Sequence, residues 1–190
     1  MDKFTEFQRI FGTAIPYLEL KRTENDCREI ASSVEDIAVH KATAFGNSSL
    51  VESISFIVEG GDGEEEIDAH DHSMESKLFM QKLLSDTSAY AGRTATWRVV
   101  LGMKLENTDE TEIVRLYEGN VHGTIVERRG DGGFGFDPVF LPDGASKTLG
   151  EEKLDKFNAR AIAVASFTTG KHFKSAAPIH DWAGEWQDKK

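Results

Sequence analysis

The sequence predicts an α/β (mixed α+β) domain with a central mixed sheet, flanking helices and one long hairpin. Three observations predict it. Apolar residues at helical spacing recur through the chain, runs rich in β-branched residues fall between them, and two alternating segments at 94–105 and 112–121 flank the turn chemistry of Glu106-Asn107-Thr108-Asp109. The 190 residues fit one domain, drawn at 1–170, and a tail at 171–190.

Phe4, Phe7, Ile10 and Phe11 make the stripe of a helix that ends at Gly12. Alternation over 15–20, with Pro16 near its start, predicts a short strand. Ser33, with Asp36 three residues on, opens a second helix over 34–45 as an imperfect capping box, and Gly46-Asn47 stops it. The segment 50–58 predicts a buried strand. Three glycines and seven acidic residues make 59–71 a solvated loop. Met74, Leu78, Phe79, Lys82 and Leu83 restore helical spacing before the hairpin. The text from 127 to 150 is loop-like, and Leu154, Ala161, Val164 and Phe167 mark a last helix.

With 33 Asp+Glu against 22 Lys+Arg, the net charge of −11 disfavours nucleic acid and anionic membranes as partners, so a polyanionic ligand needs local cations or a divalent metal. No apolar run reaches the roughly 18–20 residues of a membrane span, and Met1-Asp2-Lys3 opens no signal core, which predicts a cytoplasmic address. The lone Cys27 predicts a structurally neutral thiol. Within the acidic loop, Asp68, His70, Asp71 and His72 form a weak transition-metal candidate beside the simpler reading of a solvated loop. Trp182 and Trp186 read as a packing or dimer-face stripe.

The most informative segment runs Arg128-Arg129-Gly130-Asp131-Gly132-Gly133-Phe134-Gly135-Phe136-Asp137-Pro138. Four glycines in six positions let a backbone approach a ligand closely, two aromatics offer a stacking face for a base, and Asp137 can accept from ring N–H groups. Glycine content alone fits a hairpin turn with its Phe rings in the core equally well.

Glu118-Gly-Asn-Val-His-Gly-Thr-Ile, then this glycine-rich segment continuing into Val139-Phe140, then Leu141-Pro-Asp-Gly and Lys147-Thr148, resembles the inosine triphosphate pyrophosphatase family. The order of these elements is far more specific than a lone glycine motif. The resemblance continues more weakly over about 3–167, through Lys3-Phe4-Thr5-Glu6-Phe7, Glu29-Ile30, Lys41-Ala42 and Asn158-Ala159-Arg160. It implies an elongated domain whose sheet and hairpin lobe form a nucleotide cleft, and hydrolysis of non-standard purine nucleoside triphosphates (ITP, XTP, dITP) to monophosphate and pyrophosphate, with Mg2+ as cofactor, in a homodimer.

Carried onto this chain, the resemblance implies that Phe134 stacks on the purine with Gly135 and Phe136 beside it, and that Asp137 reads the purine edge. Lys3, Lys41, Arg160 and either Lys153 or Lys156 bind the rest of the nucleotide, and Glu29 and Glu52 hold the metal. Lys3, Lys41, Arg128, Arg129, Lys153 and Arg160 are expected to gather into one phosphate patch on an otherwise negative surface.

Two departures stand out. The family opens with a strand and a T/S-x-N phosphate loop ahead of the lysine, whereas this chain reads Met1-Asp2-Lys3. Its paired acids fall here at Glu52-Ser53, so a serine stands at the second position, where a carboxylate is expected as metal ligand or base. Both residues are catalytic candidates, with strand alternation aiming Ser53 inward and Glu52 the other way. The other reading is a catalytically impaired relative that binds nucleotide or dimerises without hydrolysis.

Overall fold

A computed structural model describes residues 3–14, 27–47, 49–60, 67–68, 74–106, 111–133 and 135–187. The predicted strand at 15–20 and most of the His70/His72 segment lie outside them. The elements run α1 (Lys3–Ala14), α2 (Val34–Phe45), β1 (Leu50–Val58), β2 (Ile67–Asp68), α3 (Met74–Ser85), β3 (Thr94–Glu106), β4 (Glu112–Ile125), β5 (Phe140–Pro142), α4 (Ala159–Thr168) and β6 (Lys174–Ala176).

The sheet has the order β2-β1-β3-β4-β5, with β6 also on β4. Every described pairing is antiparallel, which corrects the expected mixed sheet; the long β3–β4 hairpin and its neighbours impose that direction. The first helix runs past Gly12 to Ala14, the segment read as loop-like over 127–150 contains β5, and two more expectations change. Ile67 and Asp68 inside the acidic loop extend the sheet against Val58 and Ile57. The last helix starts at Ala159 rather than near Leu154, because the Asn158 side chain accepts from the Arg160 and Ala161 amides and caps it there, after a tight turn at Asp155–Phe157. Ser33 does cap α2, accepting from the Asp36 amide at 3.2 Å.

Strand alternation divides the core in two. Val100, Val114 and Leu116 pack beneath Ala38, Val39 and Ala42 of α2, while Val99, Leu101, Tyr117 and Val121 join Ala159, Ala163 and Val164 of α4 on the opposite face, together with Ile10 and Phe11 of α1. Gly119 is what lets α4 sit down: a Cβ there would collide with the Ala159 carbonyl and crowd the Ala163 amide. Arg98 ties α2 to the sheet, donating to Glu35 at 2.8 Å and to Glu118 at 2.7 Å. Burial pushes the Glu35 carboxyl up, but a backbone N–H and Arg98 more than offset this and hold it below its ordinary value.

After α4 the chain crosses back over α2. Phe173 N donates to Leu116 O, β6 pairs with Val114–Leu116, and Ile179 N donates to the Thr43 hydroxyl of α2. Among the described residues no helix is long and apolar enough to cross a membrane.

Candidate functional site

The glycine-rich loop is anchored at both ends. Arg129 N donates to Pro138 O, Gly132 N to Gly150 O and Gly150 N to Asp137 O, so residues 129–132 and 137–138 are laid against 148–150. The Thr148 hydroxyl donates to Arg129 O at 2.7 Å. Gly133 has φ +74, and a Cβ on it would strike the Asp137 side chain. Glycine is therefore required for the loop to fold over that carboxylate.

Beneath the loop lies a network of charged side chains. Lys153 Nζ donates to Asp137 Oδ2 at 2.9 Å and lies 3.4 Å from the Glu6 carboxylate. Arg160 donates from Nη1 to Glu6 Oε2 at 3.0 Å and from Nε to Glu52 Oε1 at 2.7 Å. The Asn158 amide also donates to Glu6. Trp97 forms the floor, its ring centroid 4.7 Å from Lys153 Nζ and 5.7 Å from the Arg160 guanidinium carbon. Three carboxylates facing two cationic side chains in a buried setting orient one another.

A cavity of about 320 Å³ opens beside this network, with Glu6, Arg9, Gly132, Gly133, Gly150 and Lys153 among its walls. Its size suits a small organic ligand. The described walls come from α1 and two loops. Across the mouth, Arg9 makes a two-point pair with Asp155, which lowers the Asp155 carboxyl below its ordinary value. On the rim the Thr148 amide donates to Glu151, and with nearby Arg129 this holds that carboxyl low.

A second, smaller group lies toward α2. Lys41 Nζ is 2.5 Å from Glu29 Oε1 and donates to the backbone carbonyl of Glu52 at 3.2 Å. Glu52 is thus held at its side chain by Arg160 and at its carbonyl by Lys41. Ser53, next along β1, is buried on the α2 side opposite Val100, and its hydroxyl has no hydrogen-bond partner among the described residues.

These two groups sort the sequence-predicted residues. Glu52, Asp137, Lys153 and Arg160 come together; Glu29 and Lys41 form a separate pair; Ser53 joins neither. Alternation does separate Glu52 from Ser53 as expected, but it is Glu52 whose side chain meets Arg160. Phe136 is not a ligand face: its ring lies flat on Phe56, centroids 3.7 Å apart, because the tight turn at Asp137–Val139 folds it into the core. Lys156 lies over the Phe157 ring at 4.6 Å, outside the network. Gly135 is exposed with φ +59, Lys3 is the first residue of α1, and Phe134 lies outside the described residues.

The single phosphate patch does not form among the described residues, because Lys41 and Arg160 come from helices on opposite faces of the sheet and Lys41, Lys153 and Arg160 already face carboxylates. Glu6 is the residue that sequence reasoning passed over as part of a helix start. Its signal was there: a carboxylate on the same stripe as Ile10, aimed into an apolar interior.

The fold is that of a known class of α/β proteins. The Ham1 protein of Staphylococcus aureus superposes with a TM-score of 0.56 over 88% of this chain and 92% of that one, at 21% identity. The Ham1 family profile matches residues 1–169, and this chain belongs to the Ham1 family. A protein of Chlorobaculum tepidum named dITP/XTP pyrophosphatase is 35% identical over 103 residues, 49% of this chain and 46% of that relative. One of the same name from Flavobacterium psychrophilum is 26% identical over 165 residues, 82% and 84% of the two chains. The chain spans less than half the length of several curated relatives it matches.

Proposed function

We propose that this chain is a nucleoside triphosphate pyrophosphatase acting on non-standard purine nucleoside triphosphates (ITP, XTP and dITP); its relatives are named for two of these, dITP and XTP. The observation that carries the proposal is the Asp137–Lys153 pair, an acceptor beside a donor at 2.9 Å, next to a cavity under the glycine-rich loop. A 6-oxopurine presents an N1–H donor beside an O6 acceptor, which complements a carboxylate and an ammonium in that order. Adenine presents the reverse, so the same pair would repel it. Glu6 and Trp97 orient Lys153, and Asn158 and Arg160 fix Glu6 in turn.

In the reaction, water attacks the α-phosphorus, the bond to the bridging oxygen breaks, and pyrophosphate leaves. On this reading Lys41 binds phosphate oxygens and Glu29, its ion-pair partner, accepts the proton of the attacking water. The described residues do not preassemble a magnesium site. Glu29 is engaged by Lys41, Glu52 by Arg160 from the other face of β1, and Ser53 contributes only a hydroxyl. Homodimerisation and a cytoplasmic location belong to the same proposal.

Pyrophosphate release from dITP, XTP and dATP by the parent, by Asp137→Asn and by Glu29→Gln tests it. The parent should prefer the 6-oxopurines, and Asp137→Asn should lose that preference. No release above a buffer blank, alongside saturable dITP binding, would instead establish the impaired-relative reading.

A further inference from the structure

The family match ends at residue 169, yet 173–187 makes ordered contacts with the body of the domain. These contacts converge on the segment that carries Glu29. Gln187 N donates to the Glu29 carbonyl at 3.0 Å, and Ala31 N donates to the Glu185 carbonyl at 3.0 Å, so Ile30 is bridged to Trp186 as a one-residue antiparallel pair. The Trp182 indole N–H donates to that same Glu185 carbonyl at 2.7 Å and steadies it.

Trp186 seats the junction. Its ring meets His40 edge-on at 5.5 Å, and the Arg28 guanidinium carbon lies 4.8 Å from its centroid. Trp186 thereby touches both chain neighbours of the Glu29–Lys41 pair, Arg28 before Glu29 and His40 before Lys41. Farther back, the Ile179–Thr43 hydrogen bond holds the segment on α2 two residues beyond Lys41.

We propose that residues 173–187 are a strap that positions the Glu29–Lys41 pair, with Trp186 as the positioning residue. Among the described residues Glu29 lies in 27–33, ahead of α2 and outside the named helices and strands, and its backbone is held on the strap side by the Ala31 and Glu29 bonds to 185–187. Removing the Trp186 ring frees that backbone while leaving Lys41 on a helix packed against the sheet, so the two charges lose their register. The part of the inference that concerns catalysis rests on the pyrophosphatase reading; the part that concerns positioning does not.

Two measurements on the full chain separate them. The first is amine labelling of lysines followed by peptide mass spectrometry on the parent, Trp186→Ala, Trp186→Phe and Glu29→Gln. Pairing shields Lys41, so labelling there should rise several-fold in Trp186→Ala and Glu29→Gln and stay near the parent in Trp186→Phe. Lys104 and Lys153, paired elsewhere, report that the variants are folded and should not change. Unchanged Lys41 labelling in folded Trp186→Ala overturns the strap, whatever the parent does to nucleotides.

The second is steady-state hydrolysis of dITP. Trp186→Ala should lower kcat on the order of tenfold with little change in KM, because the base-binding network lies on the other face of the sheet, and Trp186→Phe should restore it. If the parent is inactive, the pyrophosphatase reading fails and labelling alone decides the strap. If Lys41 labelling rises while kcat is unchanged, the positioning role in the reaction is overturned.

Discussion

Arg160 and Glu6, 154 residues apart in sequence, meet at 3.0 Å with their side chains 1% and 4% exposed. This pair joins α4 to α1 and, through Lys153 and Asn158, joins both helices to the loop that carries Asp137. Breaking it should therefore be felt in both stability and ligand recognition.

Glu6→Ala leaves Arg160 with only part of its compensation and strips an acceptor from Asn158 and Lys153. Removing one member of a buried pair costs about 3–5 kcal/mol. Urea unfolding should show a midpoint lowered by a loss in that range with an unchanged slope. A loss below about 1 kcal/mol would show the network to be strongly hydrated.

Gly119→Ala should destabilise by roughly 2–3 kcal/mol through overpacking. The new methyl meets backbone atoms of α4, which cannot rotate away as a side chain can. A fall in Tm of several degrees is expected, whereas Gly92→Ala, where nothing lies within 4 Å of the built Cβ, should act only through its φ of +88.

Burial first, and then the neighbouring Lys41, push the His40 imidazole below its ordinary value of 6.5. The folded state therefore favours neutral His40, and the unfolded chain takes up the proton first. The resulting stability is complete above about pH 6.5 and is lost as pH falls through the lowered folded value. Unfolding midpoints from pH 8 to pH 5 should fall more steeply for the parent than for His40→Gln. Parallel curves would remove His40 from the account.

Lys153→Met keeps the side chain's length and removes its charge, leaving Asp137 without that donor. On the proposed reading, kcat/KM for dITP should drop about a hundredfold or more while stability changes less than in Glu6→Ala, since Lys153 is more exposed than Arg160. Equal rates for parent and variant would displace Asp137–Lys153 from base recognition.

The elements were largely legible in the chain because their causes are local. Ser33 caps α2 through a residue three positions away, the apolar stripe of α1 recurs within two turns, and the β3–β4 hairpin announces itself by alternation around a polar turn. The strap was not legible. Its backbone hydrogen bonds at 173, 185 and 187 carry no side-chain signature, and the ring contacts that seat Trp186 are with Arg28 and His40, which the spacing of the tail does not reveal. Phe136 shows a third case: whether its ring faces a ligand or the core depends on Phe56 and Trp97 arriving from distant strands.

By itself the sequence determined the α/β class and most element boundaries, since spacing, capping and turn chemistry act over a few residues. Only the tertiary structure decided the partners of the charges. Glu52 faces Arg160 across 108 residues, and Lys41 reaches Glu29 instead of joining a common cationic patch. A buried charge must find an opposite charge, but its identity is set by which faces of the sheet the helices cover, and that is a property of the packed whole.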